Sequence, residues 1–367
     1  MIGQFILFCF LVFILFFFSL SILNVKINKI VVSFILFFLV ILLGILCITT
    51  YPSEGGDLSR YYKELSLYQL KGSLYLSQSS YSFFPITNFY FYLIALSGQN
   101  YLLQFGSFIV IVLSLFIYFK KINKIIEIDS NSIIVYYTLI LFFISIMAVL
   151  LSVRSVVCYS LILTLSTIDI TMSKKNKLFN ILYIFPVLIH AEALIFVMTI
   201  FFFKIFKEVN LKNIIIIIVI ALSANFFINK ISNIDIDYIQ YLIKKFDVYN
   251  KNDFIDNRFF IIKIVFSMLL AFLCFTCLKE KNINSFERKL ISLEILFFIL
   301  GISFSFNKTI CVRNLEMFIL FSFPTLNIFF RKFKNKFLLF KFLFYGVFVL
   351  IIVYQIIAMK NQWEFVV

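Results

Sequence analysis

FILFCFLVFILFFFSLSIL (Phe5–Leu23), NVKINK, and IVVSFILFFLVILLGILCIT (Ile30–Thr49) open the chain and decide its fold. Each apolar run supplies the roughly 20 residues that a helix needs to cross a hydrocarbon core of about 30 Å. Lipid offers no partner to a bare backbone N–H or C=O, so runs of this kind must be helical. The basic hexapeptide between them is only long enough to turn the chain back. The opening run lacks a basic leader and a small-residue cleavage site, and a second span follows at once, so it reads as a retained helix.

Outward from this pair the pattern repeats. Further spans are expected at Leu102–Phe119, Ile133–Leu151, Ser155–Met172, Ile214–Ile228, Phe259–Cys277, Leu290–Phe306, Leu315–Phe330 and Phe337–Met359. Two short ones are expected at Leu178–Ile189 and Ala191–Phe203. Phe83–Ser97 is apolar but short and contains Pro85, which suits a re-entrant segment better than a crossing. The expected fold is therefore all-α, a polytopic transmembrane helical bundle of about twelve spans, forming one integral membrane domain over residues 1–367.

Composition agrees. Of 367 residues 63% are hydrophobic and 14% charged, and the mean hydropathy is +1.05, which excludes a soluble globular domain. The 53 phenylalanines exclude disorder, and six scattered cysteines do not make a disulfide framework. Cys274 and Cys277 have CxxC spacing but lie in an apolar helix without a companion pair, so they read as small hydrophobes. No metal and no cofactor is expected.

The net charge of +15 is unevenly distributed. One set of alternate loops carries 19 basic and five acidic residues, among them Lys120, Lys121, Lys174, Lys175 and Lys279; the other carries 12 basic and 11 acidic. By the positive-inside rule the first set is cytoplasmic and both chain ends lie outside. Anionic lipid accounts for the charge, and nucleic acid is not required. Two long loops, 50–101 and 229–258, fall on the outer side. Each contains an amphipathic stretch at helical spacing: Leu58, Tyr61, Tyr62, Leu65 and Tyr68 in one, Ile239, Leu242, Ile243 and Phe246 in the other. Helices of this kind can lie on a membrane surface, and the bland alternative is a lid over the bundle.

The polar residues outside the cytoplasmic loops converge on one level. Asp57 begins an amphipathic run, as a helix cap does, and Arg60 lies three residues on, at local-bridge distance. Arg154 stands between two apolar runs at the outer boundary, where snorkelling is the simplest explanation. The sole histidine, His190, has Glu192 close by, and Arg313 follows the tenth span with Glu316 three residues further. Guanidinium groups meet phosphate oxygens in planar, bidentate fashion, so three of them at one cavity suit a lipid diphosphate. No Walker loop, DxD pair or GxGxxG is present, so the chemistry does not call for a nucleotide.

In order along the chain, GGDLSRYY (Gly55–Tyr62), VRSVVCYSLILTLSTI (Val153–Ile168), SKKNK (Ser173–Lys177), LFNILYIFPVLIHAEALIF (Leu178–Phe196) and VRNLEMF (Val312–Phe318) resemble the EpsG-type branch of the Wzy-like bacterial polysaccharide repeat-unit polymerases. Glu192 departs from that pattern, since a small or hydroxyl residue is commoner at its place. The resemblance implies a GT-C-like bundle in the bacterial cytoplasmic (inner) membrane, multi-pass, with its active site facing the extracytoplasmic side. It implies inverting glycosyl transfer that joins undecaprenyl-diphosphate-linked oligosaccharide repeat units into O-antigen, capsule or exopolysaccharide, beside a chain-length regulator and a flippase. Arg154 and Arg313 would hold the diphosphate, and Asp57 or His190 would deprotonate the acceptor hydroxyl. Arg60, Tyr61, Tyr62 and Glu192 would bind substrate. Other classes compatible with the residues are a flippase of the same lipid, which would spread its polar groups along a path across the bilayer, and a membrane acyltransferase using His190 as base.

Overall fold

The computed structural model describes residues 28–52, 57–126, 153–172, 177–206, 213–216, 218–219, 223, 237, 240–241, 243–244, 248, 257–280, 283–305, 307–322, 325–326, 328–329, 346 and 363–365. The expected spans Phe5–Leu23 and Ile133–Leu151 lie outside the described residues, as do all but isolated positions of Ile214–Ile228, Phe337–Met359 and the amphipathic stretch Ile239–Phe246. What is described is helical apart from one pair of three-residue strands, and it falls into two compact units.

The first unit starts with α1 (Lys29–Thr49), which packs against α4 (Leu102–Ile126). At the end of α1, β1 (Thr50–Pro52) pairs antiparallel with β2 (Trp363–Phe365), Thr50 opposite Phe365. The C-terminal segment therefore returns to the end of α1 from which the chain enters its first long loop. That loop is largely helical. In α2 (Asp57–Lys71) the residues Leu58, Tyr61, Leu65 and Tyr68 are buried, joined by Phe91, Ile94 and Ala95 of α3 (Pro85–Ser97) in one apolar cluster. The amphipathic face is thus spent on protein and does not lie on lipid. Pro85, expected to interrupt the apolar stretch, instead starts α3, where its missing N–H is no loss, and Gly98 stops it at φ 71°. Thirteen residues rise about 20 Å, which is short of a crossing.

α5 (Val153–Thr171) is tied to α4 by Thr164 Oγ1, which donates to the Ser114 carbonyl (2.8 Å). Next comes a tight 3-10 segment, Lys177–Tyr183, then α6 (Ile184–Ile189). Together they rise about 23 Å, so the expected short span Leu178–Ile189 is below bilayer length. Thr87 Oγ1 of α3 donates to the Ile189 carbonyl (2.9 Å) and anchors the end of α6 beside α3.

The second unit contains α7 (Ala193–Phe206, from Leu194), α8 (Asn257–Leu278), α9 (Ser285–Ser303) and α10 (Lys308–Phe321), the last three packed on one another. Side-chain caps set two of its helix starts. Asn284 accepts from the Glu287 amide (2.8 Å) while Glu287 Oε2 accepts from the Asn284 amide (3.1 Å), so α9 starts five residues before the expected Leu290. Asn307 Oδ1 accepts from the Ile310 amide (3.0 Å), so α10 starts at Lys308 and Arg313 lies within the helix.

Among the described residues three helical stretches are long and apolar enough to cross a membrane: Leu102–Lys124, Val153–Thr171 and Phe260–Leu278.

Candidate functional site

The site grows from the first turn of α5. Arg154 is only 9% exposed, so its guanidinium is inside the protein and has not snorkelled to the surface. Its Cζ lies 4.3 Å from the ring centre of Tyr81, 5.5 Å from that of Tyr61 and 5.6 Å from that of Phe84. Nε donates to Tyr61 Oη at 3.5 Å. A desolvated cation–π contact is worth about 2 kcal/mol, and an arginine costs about 2.5–3.5 kcal/mol at mid-span and less near a helix end, where Arg154 lies. One close ring and two more distant ones therefore offset most of the burial cost. Burial pushes the Tyr81 phenol up, against the opposite pull of Arg154, so Tyr81 stays a neutral donor.

Phe84 also borders His190, its ring stacked on the imidazole at 6.5 Å between centroids with 20° between planes. The chain leaves α6 at His190 in an extended conformation (φ −150°, ψ 135°) and turns through Ala191 and Glu192 into α7. This turn places three groups around the ring. Ser155 Oγ is 3.4 Å from Nε2, the Glu192 amide donates to Nδ1 at 3.3 Å, and Glu192 Oε2 is 3.7 Å from Nδ1. Tyr159, one turn along α5 from Ser155, donates to the same Glu192 oxygen at 3.3 Å. Ser155, His190 and Glu192 are all buried. The neutral ring can carry its hydrogen on either nitrogen, and the tautomer sets which of Ser155 and the Glu192 amide it receives from. A second proton at Nδ1 would meet the Glu192 carboxylate, so this cluster can take up a proton and stabilise the imidazolium.

Asp57 and Arg60 form an ion pair with each other at the start of α2. The Arg60 side chain is 71% exposed and that of Asp57 30%, so this is the local surface bridge that the three-residue spacing anticipated. The Tyr62 hydroxyl donates to buried Gln104 Oε1 (2.6 Å) and ties α2 to α4. The first unit thus brings together Tyr61 with Arg154 and His190 with Glu192.

Arg313 belongs to the second unit, half-buried on α10. Glu316, expected near it, reaches the fully buried Lys263 of α8 (Nζ to Oε1, 3.5 Å). In the same unit Glu294 of α9 is fully buried, with Thr325 Oγ1 and Cys274 Sγ (3.4 Å) on its Oε2. The Cys277 thiol faces the Thr325 carbonyl at 3.9 Å. Among the described residues no group of three or more metal-ligating side chains is present, and the CxxC thiols are buried in helix packing.

A cavity of about 200 Å³ opens beside Arg154, walled by α3, α4, α5 and Ile189. No family model, curated protein or solved structure matches the chain.

Sequence reasoning missed Ser155, Tyr81, Phe84 and Tyr159 in the site, and Lys263 and Glu294 in the second unit. Lys263 and Glu294 carried a signal, being charges inside apolar runs. Ser155 and Tyr159 carried only their spacing from Arg154 on one helix.

Proposed function

We propose that the chain is a multi-pass membrane glycosyltransferase that joins lipid-diphosphate-linked oligosaccharide units on the outer face of the cytoplasmic membrane. The observation that carries this reading is the burial of Arg154 in an aromatic cage, one ring of which, Phe84, also stacks on His190 of the His190–Glu192 pair. An arginine held this way is fixed in direction, and its planar fork of donors suits the oxygens of a diphosphate. In the reaction an acceptor sugar hydroxyl attacks the donor's anomeric carbon. The bond from that carbon to the diphosphate oxygen breaks, its electron pair leaves on the polyprenyl diphosphate, and the hydroxyl proton goes to His190. Arg154 stabilises the leaving charge. Glu192 stabilises the imidazolium. Asp57 and Arg60, the more exposed pair, contact the incoming sugar chain with Tyr61 and Tyr62. Undecaprenyl diphosphate is the expected carrier, and a flippase and a chain-length regulator are the expected partners.

One observation favours a second reading. Ser155, His190 and Glu192 follow the order of a nucleophile, base and orienting acid, which would suit acyl transfer. The two readings separate in a deletion strain complemented with variants and scored for surface polysaccharide. Loss of polymer, with single repeat units left on lipid in Arg154→Ala and His190→Ala but full chains in Ser155→Ala, supports polymerisation. Full-length polymer lacking only its acyl groups in Ser155→Ala and His190→Ala overturns it.

A further inference from the structure

The second unit holds a buried acid that no step above uses. Glu294 sits midway along α9, nine residues from either end, and is fully buried. Its Oε2 accepts from Thr325 Oγ1, just past α10, and from the Cys274 thiol of α8 (3.4 Å). Its Oε1 is buried and has no hydrogen-bond partner among the described residues. One turn further along α9, buried Phe297 stacks on Phe321 (5.0 Å between ring centres) and meets Phe196 of α7 (6.1 Å), so the surroundings on that side are apolar. The titratable groups packed nearby are thiols: Cys274 and, one turn along α8, Cys277, which faces the Thr325 carbonyl. The buried Lys263 is engaged by Glu316 and lies eleven residues from Cys274, about 16 Å along α8.

The two protonation states of Glu294 make different demands. A carboxylate spreads its charge over both oxygens and needs donors on each. Here one oxygen has two donors and the other none, and no cationic side chain among the described residues pairs with it. A carboxylate would thus be a buried charge left uncompensated. A neutral acid is a carbonyl and a hydroxyl. Oε2, receiving two hydrogens, fills the carbonyl role, and Oε1 carries the proton at the smaller cost of one unpaired O–H. A metal ion in place of that proton would need several ligands at once, and no group of three or more metal-ligating side chains forms among the described residues.

Depth and neighbours say what the acid can do. Cys274 lies four residues, about 6 Å, before the end of the apolar stretch Phe260–Leu278, the end followed by Lys279 on the side that the charge count makes cytoplasmic. Along α8, Lys263, Ser267, Cys274 and Cys277 recur at helical spacing and are all fully buried. Ser267 Oγ is a second buried polar atom without a hydrogen-bond partner among the described residues. Ionisable groups buried among apolar spans are costly, and they mark proton and ion routes. We infer that Glu294 is a proton-binding site within the membrane-embedded second unit, holding a hydrogen on Oε1 and exchanging it with water. None of the residues assigned to sugar transfer takes part, so the two readings stand or fall separately.

The test uses the full-length protein in nanodiscs at neutral pH with dicyclohexylcarbodiimide, a membrane-soluble reagent for neutral acids. The acid's proton passes to a carbodiimide nitrogen, the freed oxygen adds to the central carbon, and acyl transfer to nitrogen leaves a stable N-acylurea with no group lost. Peptide mass mapping should find the adduct on Glu294, and about tenfold or more less of it on Glu316, whose charge Lys263 meets. Replacing potassium chloride by sodium chloride should change nothing. In infrared spectra Glu294 should contribute the carbonyl stretch of a protonated acid, which moves to lower frequency after equilibration in D2O and is lost in Glu294→Gln. Where that variant does not fold, Thr325→Val keeps the acid and removes a donor from Oε2, so the same band should move to higher frequency. An unlabelled Glu294, equal labelling of Glu316, protection by sodium, or an acid band that D2O and both variants leave unchanged overturns the inference.

Discussion

Arg154 is where burial and chemistry meet in one side chain. Three rings share its guanidinium, and the plane of that group is what they and a diphosphate both recognise. Lysine retains the charge but neither the plane nor the fork of donors. Arg154→Lys should therefore leave expression and thermal midpoint close to wild type while lowering the initial rate of polymer formation about ten- to hundredfold, the equivalent of one or two charge-assisted bonds. Rates from a purified lipid-linked donor, beside a melting curve in detergent, check both halves. An equally active lysine variant would mean that point charge suffices and the cage is structural. Arg154 and His190 were legible in the sequence because each is an outlier, a charge at a membrane boundary and the only imidazole in the chain. Tyr81 and Phe84 were not, because nothing local distinguishes them among so many aromatic residues. Their role depends on a contact made about seventy residues further along.

Among elements, the helices around the cavity are held by close backbone approaches as much as by apolar area. A Cβ added to Gly106 of α4 would lie 2.6 Å from Tyr90 Oη of α3, a hydroxyl bonded to the Leu103 carbonyl. Gly106→Ala should destabilise the protein by about 1–3 kcal/mol through overpacking. Tyr90→Phe removes the obstructing oxygen and one hydrogen bond, at about 1 kcal/mol. The double variant should then be more stable than the sum of the two losses, and thermal unfolding of the four proteins of the cycle measures the coupling. Simple additivity would show that α3 and α4 do not meet through this pair. Helix existence was readable from apolar runs of span length, and α1, α5 and α8 fall within two residues of expectation, while α4 runs seven residues past its expected end at Phe119. Starts set by caps were read late, as at α9 and α10, because Asn284 and Asn307 sit in polar sequence that a hydropathy window discards. The face of α2 was read correctly as amphipathic, but periodicity does not say whether lipid or α3 covers it.

At the scale of the whole molecule the charge bias and the fold make a joint prediction about sidedness. The positive-inside count puts Lys120, Lys121 and Lys124 in the cytoplasm. α4 carries the chain from Gln99 and Asn100 to those lysines over a stretch of bilayer-crossing length. Residues before α4 should therefore face outward, in the long loop that includes α2, α3 and Tyr81. The β1–β2 pair adds a second, independent marker, since Trp363 lies opposite Pro52 at the entry to that loop. In intact cells a membrane-impermeant maleimide should label Gln99→Cys and Trp363→Cys, and should reach Lys124→Cys only after permeabilisation. The native cysteines described are all buried and should contribute little background. Labelling of Lys124→Cys from outside, with Gln99→Cys protected, would invert the molecule. Arg154 packs on Tyr61 and Tyr81 of that loop, so an inverted molecule would present the arginine to the cytoplasm, where a donor already moved across the membrane could not reach it. Sidedness thus tests the proposed chemistry without any assay of sugar transfer.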